Sequence, residues 1–592
     1  MLSKNYDFRN DINGLRALAV MPVLFFHAHL FGFEGGFLGV DVFFVISGFL
    51  ITSIIINDIE QDKFSIWSFW NKRLRRIFPA LLFILIISTI VSFFVMLPYD
   101  LKNYGQSLVA TILSANNILL YLTSGYWSLA AEFKPLYHTW SLAVEDQYYF
   151  LIPLLMIMFY KKLNKLVLFF SFLFIVSFIL SFTATNKEMN FLIISHRLWE
   201  LMAGSLVALF LSKYKVNSDA VKGVLGLFLI IFSYVFPYAI SENQAIYTLI
   251  PVIGTVLIIL YSSNNNAIGK LLSVKPLFFI GTISYSIYLF HMPLLAFLRL
   301  SIEGQANVYL QVFIVLLSVP LGYISWRYIE NTFRYEKNIS NKMFYITLVF
   351  FSALLLFLGF MLHYTYGFQS YSKFNYGFNP QKYNDEPYEY VKDKFGTNNK
   401  KILIIGNSFA RDFINMLRAN VNLNSFEIIL SDAENIKLEL IKQADIIIAV
   451  SSSGLSNTID KEKISNSSKE LFELLKVESN GEFYYIGTKN FGFNNNFLVQ
   501  KSFEDIPQYK VSVNNSTLVG NQIEKLIWGE HYIDVLELLI DENNKIHVFT
   551  PRGDFISFDT EHVTKKGAEY IGKIILEKTS LKNIFKKEKN EI

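Results

Sequence analysis

Apolar runs of about 20 residues follow one another through the first 364 residues of the chain, with short polar breaks between them. An α-helix of that length is needed to cross the hydrocarbon core of a bilayer. Charged residues make up only 17% of the chain, whereas a water-soluble chain usually carries about a quarter. The pattern predicts a polytopic α-helical membrane domain with about ten spans, followed by one linking span. We expect these spans near 12–31, 37–57, 77–97, 145–160, 166–184, 193–212, 221–239, 243–262, 275–300, 308–330 and 342–363.

The composition also excludes several classes of protein. A chain that is 52% hydrophobic is neither intrinsically disordered nor a nucleic-acid-binding module. The complete absence of cysteine excludes disulfides, thiolate catalysis and cysteine-bound metals. We therefore expect membrane lipid as a partner, no nucleic acid and no metal.

Lysine and arginine are distributed unevenly between alternate loops. One set of loops carries clusters such as 72–76 and 161–165, and the other set holds only Lys102, Lys134 and Lys187. Basic loops remain cytoplasmic, so we expect the N-terminus inside and, after an odd number of spans, the residues beyond 363 outside. The apolar run 104–122 is interrupted by Gly, Gln and Asn residues, and we interpret it as an interfacial or re-entrant helix that does not cross.

The pattern changes after residue 364. Residues 364–400 are polar and rich in Tyr, Asn and Lys, which predicts a linker. Beyond 401, strand-like runs alternate with helical stretches, an order typical of a parallel, doubly wound sheet. We expect a membrane domain over 1–335, a linking span and linker over 336–400, and a soluble α/β domain over 401–592. The expected strands are 401–406, 426–430, 445–451, 483–487 and 545–550, and the expected helices lie around 409–419, 433–443, 466–476 and 563–577.

The ionisable residues Arg16 and His27 stand in the first apolar run, where charged groups are costly and commonly functional. Arg16 and His27 are eleven residues apart, which is about 16 Å along a helix and almost the same face. The two side chains can therefore line a common channel. The alternative is that His27 bonds to a nearby backbone group while Arg16 reaches lipid phosphates.

A second concentration of charge precedes the third span, where NKRLRRIFP (71–79) contains Arg73, Arg75 and Arg76. Such a cluster is commonly only a topology signal. The alternative is a phosphate site, because guanidinium groups suit phosphates. Further polar residues interrupt apolar segments: Asp41 in GGFLGVDVFFVISGFLIT (35–52), and His138 and Glu145 in HTWSLAVEDQYYF (138–150).

Five segments, taken in order, closely resemble the acyltransferase family 3 membrane domain across roughly residues 8–335. They are DINGLRALAV followed by His27, GGFLGVDVFFVISGFLIT, NKRLRRIFPA, HTWSLAVEDQYYF and SYSIYLFHMPLL. The resemblance implies transfer of an acyl group, commonly acetyl, from cytoplasmic acyl-CoA to extracytoplasmic carbohydrate. The family's Arg-x10-His motif falls on Arg16 and His27, and Asp146 stands where the family often has a second Glu. The resemblance further implies a role in acyl transfer for His27, contact of the CoA phosphates with Arg73, Arg75 and Arg76, and a polar core that includes Asp41, His138 and Glu145.

Histidine suits this chemistry independently of the family. A hydroxyl is a weak nucleophile that needs a base of near-neutral pKa, and a thioester is already activated. Whether His27 only deprotonates the acceptor or carries the acyl group itself stays open.

The soluble half contains a second candidate site. KILIIGNSFARD (401–412) predicts a strand, a tight turn and a helix start, with Ser408 at the carboxyl end of the first strand, where ligands collect in open α/β sheets. FDTEHVTKKGAEYIG (558–572) supplies Asp559 and His562 before a final helix. In Asp-x-x-His the carboxylate can orient the imidazole, which can then activate a serine. We predict a Ser408–His562–Asp559 triad.

This half resembles the SGNH hydrolase fold, with Ser408 matching the nucleophile and Asp559 and His562 matching the terminal block. Asn407 departs from that family's motif, which commonly has Asp there. For the oxyanion-binding Gly and Asn that the resemblance implies, the best positions are Gly454 in SSSG and Asn490 in GTKNFG.

Together these features predict an enzyme of the bacterial inner membrane that O-acetylates an envelope glycan such as lipopolysaccharide O-antigen, with acetyl-CoA as donor. The α/β domain would then be periplasmic. Two alternatives remain: an esterase that removes acyl groups from the glycan, and a transporter whose outer domain binds a ligand. The lack of Gly- or Pro-interrupted spans in repeated halves argues against the transporter.

Overall fold

In the computed structural model, the chain forms two compact units. One unit comprises Met1–Phe94, Asp100–Arg299 and Ala306–Tyr364, and the other comprises Val95–Tyr99, Leu300–Gln305 and Thr365–Ile592. The structure describes all residues except 1–8, 124–130, 160–161, 240, 373, 375–378, 397–398, 434–435, 452–460, 503–507 and 586–592.

The first unit is helical. Within the described residues, eight helices are long and apolar enough to cross a membrane, and a ninth span results if one pair bent by 68°, Lys275–Thr282 and Ser284–Ser301, counts as one. The eight are Gly36–Glu60, Ile66–Val95, Thr139–Phe159, Leu163–Thr183, Lys187–Lys213, Gln244–Tyr261, Val308–Arg334 and Asn341–Tyr364. The remaining α-helices of this part are Asn10–His27, Pro98–Ile112, Asn116–Thr123, Ala220–Val235 and Ala267–Leu272.

The helical membrane fold expected from the sequence is therefore present. Among the described residues, fewer than the eleven expected spans meet the criteria of length and hydropathy for crossing a membrane. The two predicted spans that do not qualify are helices all the same, namely Asn10–His27 and Ala220–Val235. The first is 18 residues long and carries Asp11 and Arg16, and the second has only 16 residues. The run 104–122 is divided between the two short helices Pro98–Ile112 and Asn116–Thr123, neither of which qualifies as a spanning helix, and its interfacial or re-entrant placement stays a prediction.

Glycines in the second apolar segment allow close helix packing. A Cβ atom on Gly48 would lie 1.9 Å from the carbonyl oxygen of Leu201, and one on Gly204 would lie 2.0 Å from that of Val45. The helices Gly39–Glu60 and Ile194–Lys213 therefore approach at backbone distance, as small residues permit in membrane helices.

The second unit is α/β. The described residues of this unit form the strands β1 (Lys400–Ile405), β2 (Phe426–Ser431), β3 (Ile446–Val450), β4 (Glu482–Ile486), β5 (Lys510–Ser512), β6 (Tyr532–Ile533) and β7 (Lys545–His547). Five of them form a parallel sheet in the order β2-β1-β3-β4-β6, and β5 pairs with β7 antiparallel. The principal α-helices are Ser408–Asn420, Leu438–Gln443, Lys461–Glu478, Asn515–Trp528 and Lys565–Lys578.

Two expectations for this half were wrong in detail. The segment 545–550 does not join the parallel sheet, because β7 pairs with β5 and the two-residue β6 completes the sheet instead. The stretch 364–400 is more than a linker: it contains the helix Pro380–Asp385, and Arg411 forms an ion pair with Asp385 at 3.0 Å.

Candidate active site

Ser408 is the first residue of the helix Ser408–Asn420, directly after the turn that ends β1. Its Oγ lies 2.9 Å from Nε2 of His562, and Nδ1 of His562 lies 2.7 Å from Oδ2 of Asp559. Because the carboxylate can only accept, Nδ1 carries the proton and Nε2 is left to accept from the serine hydroxyl. The structure thus brings the three residues of the expected triad into one hydrogen-bonded chain.

The carboxylate of the triad is held by its own turn. Its Oδ1 accepts hydrogen bonds from the backbone N–H of His562 (2.7 Å) and of Glu561 (3.0 Å). Burial works to raise the pKa of Asp559, but the charge and hydrogen bonds of His562 outweigh it and hold the pKa below its usual range. Thr560, inside the same turn, has φ +76°, a region that β-branched residues rarely occupy. Asp559 is therefore kept ionised to orient the imidazole.

A buried ion pair, Lys489 with Asp412, lies beside the triad. Lys489 Nζ is 2.8 Å from Asp412 Oδ2 and 3.6 Å from the ring centroid of Phe409. The same Oδ2 accepts a hydrogen bond from the backbone N–H of Val563 at 3.3 Å, and the Phe409 ring lies 5.6 Å from the His562 ring. The pair therefore connects the nucleophile helix, the histidine segment and the loop after β4.

The two residues expected to bind the oxyanion have different outcomes. Gly454 lies outside the described residues. Asn490 is buried in the loop after β4, and its Oδ1 accepts hydrogen bonds from the backbone N–H groups of Gly492 (3.1 Å) and Asn514 (3.2 Å). This oxygen organises the loop, and the oxyanion role of Asn490 stays a prediction.

In the first unit, a cavity of about 420 Å³ gathers charged residues from distant parts of the sequence. Arg16, Arg73 and Arg76 line it, and so does Glu145, which accepts hydrogen bonds from Ser47 (3.1 Å) and Tyr149 (2.7 Å). The wall also contains the arginines Arg9 and Arg334 and the carboxyl groups of Asp146 and Glu330, so arginines outnumber carboxyl groups. A cavity with this excess of guanidinium groups favours a phosphate-bearing ligand.

Arg75 does not belong to that wall. It is 3% exposed, donates to the carbonyl oxygen of Phe333 (2.9 Å) and to Asn341 Oδ1 (2.7 Å), and its guanidinium stacks 4.5 Å from the Phe344 ring. Arg75 is therefore not placed with the arginines of this cavity, and its contact with CoA phosphates stays a prediction. Positions 73 and 76 lie about 60° apart around the helix and share a face, whereas position 75 points about 160° away from 73 and about 100° away from 76.

His27 lies at the last residue of the first helix and is not among the cavity residues, so the structure does not place it in one channel with Arg16. Its ring stacks on that of His291, with centroids 5.3 Å apart and planes inclined by 27°. The His138 ring approaches the His291 ring edge-on, also at 5.3 Å. Arg299 donates hydrogen bonds to the backbone carbonyl of His27 and to Gln311. We refer to His27, His138 and His291 as the histidine cluster.

The residues of the expected polar core have different neighbours. His138 belongs to the histidine cluster and Glu145 to the cavity wall. Asp41 pairs with Arg197 at 2.9 Å, and Arg197 contacts Glu200 at 3.3 Å, all three being buried. The three side chains therefore have separate immediate partners, and their membership of one polar core stays a prediction.

Three residues of these sites were missed in the sequence. His291 stood in a recognised segment, but its role depends on contacts with residues more than 150 positions away. Arg299 and Lys489 carried no local signal, since their partners are remote in sequence. Within the described part of the chain, no group of three or more His, Cys, Asp or Glu is placed to hold a metal ion.

Comparison with known proteins adds independent information. A family model described as "Acyltransferase domain" matches residues 9–327, more than half of the chain. O-acetyltransferase OatA of Staphylococcus aureus (strain NCTC 8325) is 31% identical over 348 residues, which are 55% of this chain and 57% of that protein. Peptidoglycan O-acetyltransferase OatA of Listeria monocytogenes is 30% identical over 363 residues, 57% of this chain and 58% of that protein.

The chain thus spans somewhat more than half the length of these relatives. A Haemophilus influenzae protein described as uncharacterized is 37% identical over 244 residues, which are 38% of this chain and 99% of that protein. No solved structure gives a significant match.

Proposed function

This chain belongs to the acyltransferase family whose domain covers residues 9–327, and from that membership we propose that it is a membrane O-acetyltransferase that acylates a glycan of the bacterial cell envelope. One observation carries the proposal: a single chain holds an arginine-lined cavity in its helical unit and a hydrogen-bonded Ser408–His562–Asp559 triad in its α/β unit. The parallel five-stranded sheet is compatible with an SGNH-type hydrolase domain.

The donor we propose is acetyl-CoA. Its phosphates suit the cavity wall, where Arg16, Arg73 and Arg76 supply guanidinium groups. Glu145 and Tyr149 are hydrogen-bonded to each other at 2.7 Å in the same wall, which holds the carboxylate in place among the cations. In this proposal the cavity binds the cofactor portion of the donor, and the acyl group continues to His27.

The α/β unit supplies the second half of the reaction. His562 takes the proton of Ser408 as the hydroxyl attacks the acyl group, Asp559 stabilises the imidazolium that forms, and His562 passes the proton to the group that leaves the acyl carbon. The histidine, neutral again, then removes the proton of a sugar hydroxyl as that hydroxyl attacks the acyl-serine, and returns the proton to the Ser408 oxygen as the acetylated glycan leaves. The ionised state of Asp559 supports this role.

We further propose the orientation that the basic loops favour, with the N-terminus in the cytoplasm, the protein in the inner membrane and the α/β unit outside. Peptidoglycan is the first acceptor to test, because the Listeria relative is named a peptidoglycan O-acetyltransferase. Lipopolysaccharide O-antigen is the second.

The direction of change in a Ser408→Ala strain tests the function. If the α/β unit delivers the acyl group, the O-acetyl content of purified glycan falls to the level of a strain lacking the protein, since loss of a triad nucleophile costs several orders of magnitude in rate. A rise in O-acetyl content would identify an esterase, and no change would mean that the helical unit acylates the glycan without Ser408.

A further inference from the structure

The histidine cluster contains a base that the sequence did not reveal. The His291 ring lies between the other two, with its centroid 5.3 Å from that of His27 and 5.3 Å from that of His138. His138 and His291 are at most 1% exposed. They come from three segments: the end of the first helix, the turn before Thr139–Phe159, and the helix Ser284–Ser301.

One hydrogen bond defines the protonation of the central ring. Nδ1 of His291 lies 2.5 Å from the backbone carbonyl oxygen of Tyr288. A carbonyl oxygen only accepts, so Nδ1 carries the hydrogen, and in the neutral ring Nε2 keeps its lone pair. This tautomer makes Nε2 the basic atom of His291.

That basic atom is buried and unused. Among the described residues, neither Nε2 of His291 nor Nδ1 of His27 has a hydrogen-bond partner. Buried polar groups are normally paired, and an exception in a native fold calls for a functional explanation. Both ring nitrogens of His138 are likewise without a hydrogen-bond partner among the described residues, whereas the Tyr288 hydroxyl donates to the His138 carbonyl at 3.0 Å and lies 2.7 Å from Ser141 Oγ.

We propose that His291 is a second catalytic residue of the helical unit, whose Nε2 removes the proton that the His27 imidazole loses when it accepts the acyl group. The proposal rests on the proposed function, from which it takes the acyl thioester as donor. A nitrogen lone pair of His27 attacks the carbonyl carbon, the new N–C bond forms, and the C–S bond breaks with its electron pair leaving on sulfur. The N–H proton of His27 passes to His291 Nε2, which leaves a neutral acyl-imidazole.

The balance closes over one turnover. Protonated His291 gives its proton to the thiolate, which leaves as the free thiol. An acceptor hydroxyl then attacks the acyl-imidazole, and its proton returns to His27. His291 matters because an acyl-imidazolium that kept its N–H proton would return the acyl group to the thiolate faster than a neutral acyl-imidazole.

The test uses the full-length protein in detergent micelles and follows exchange of radiolabelled CoA into unlabelled acetyl-CoA. This exchange reports the donor half-reaction without a glycan. His291→Asn keeps an amide N–H near the position of Nδ1 and removes the base. We expect it to lower the exchange rate by about 10²–10⁴-fold, the usual contribution of a general base. His291→Ala should lose as much and recover part of its rate when imidazole is added, an effect that a structural residue would not give.

The matched control is His29→Asn, two residues after His27 and with a 57% exposed side chain, which should exchange at the wild-type rate. A folded His291→Asn protein that exchanges as fast as wild type would overturn the inference and leave the proposed function standing. Wild-type protein that acetylates glycan in cells but shows no exchange would overturn it too, since His27 would then carry no acyl group. Loss of both activities from the wild type would contradict the proposed function itself. If the His291→Asn and His291→Ala variants both fail to give a monodisperse protein, His291 is structural and the inference fails.

Discussion

Neutralising one member of the buried Lys489–Asp412 pair should destabilise the α/β unit strongly, whereas neutralising both members together should not. The pair lies beside the triad, with side chains at most 5% exposed, so a single substitution leaves an uncompensated charge in a buried site. Removal of one partner of such a pair costs about 3–5 kcal/mol, while replacement of both by neutral residues of similar shape is often neutral. For a unit of this size, one kcal/mol corresponds to roughly 2–4 °C in Tm.

The variants follow from the contacts. Lys489→Met keeps a long side chain over the Phe409 ring, and Asp412→Asn keeps an oxygen that accepts from the Val563 N–H. We expect each single variant to unfold about 6–20 °C below wild type, from the two ranges above. The double variant should unfold within a few degrees of wild type, because no buried charge is left alone.

A fluorescent fluorophosphonate that labels Ser408 provides the assay. Full-length protein is heated in detergent, cooled briefly and labelled, and the midpoint temperature for loss of labelling reports unfolding around the triad. Single variants as stable as wild type would refute the reasoning. A double variant that loses the sum of the two single effects would refute it as well, since the charges would then be uncoupled.

Three further predictions concern other parts of the chain. Arg73→Gln should raise the KM for acetyl-CoA about tenfold or more, since a charge-assisted hydrogen bond contributes about 1.5–3 kcal/mol. Arg75→Gln breaks the bonds to Asn341, so it should lower Tm and leave KM unchanged. Initial rates measured against acetyl-CoA concentration give both KM values. Burial and the neighbouring carboxylates raise the pKa of Glu561 to about 8. Its ionisation therefore lowers the free energy of unfolding as the pH rises from about 4.5 to 8, by up to about 4–5 kcal/mol. Thermal unfolding should give Glu561→Gln a higher Tm than wild type at pH 8 and not at pH 4. A reporter that is active only outside the cytoplasm should be active when fused after residue 370, and activity of a cytoplasmic reporter there would reverse the proposed orientation.

The sequence was most informative where the chemistry is local. Ser408 follows a buried strand, so its place at the strand end is a local feature. Asp559 and His562 are three residues apart, so a short turn is enough to bring the carboxylate to the imidazole. The succession of apolar runs likewise predicted the membrane fold, because spanning helices need length and hydropathy more than partners.

Contacts between distant segments were not readable in this way. Lys489 meets Asp412 across 77 positions of sequence, and alternation alone could not show that 545–550 pairs antiparallel with β5. Arg75 is different, since helical periodicity already separates it from Arg73 and Arg76, and a helical-wheel argument applied to 71–79 would have excluded it from the cavity.

The central claim is that this chain moves an acetyl group from acetyl-CoA to an envelope glycan. Sealed, inside-out membrane vesicles containing the full-length protein and peptidoglycan or lipopolysaccharide acceptor in their lumen should be given [¹⁴C]acetyl-CoA on the outside. The account predicts base-labile label on the glycan with the wild-type protein, and none with His27→Ala or Ser408→Ala protein present at equal abundance. Label that reaches the glycan equally well in the His27→Ala and Ser408→Ala vesicles would contradict it.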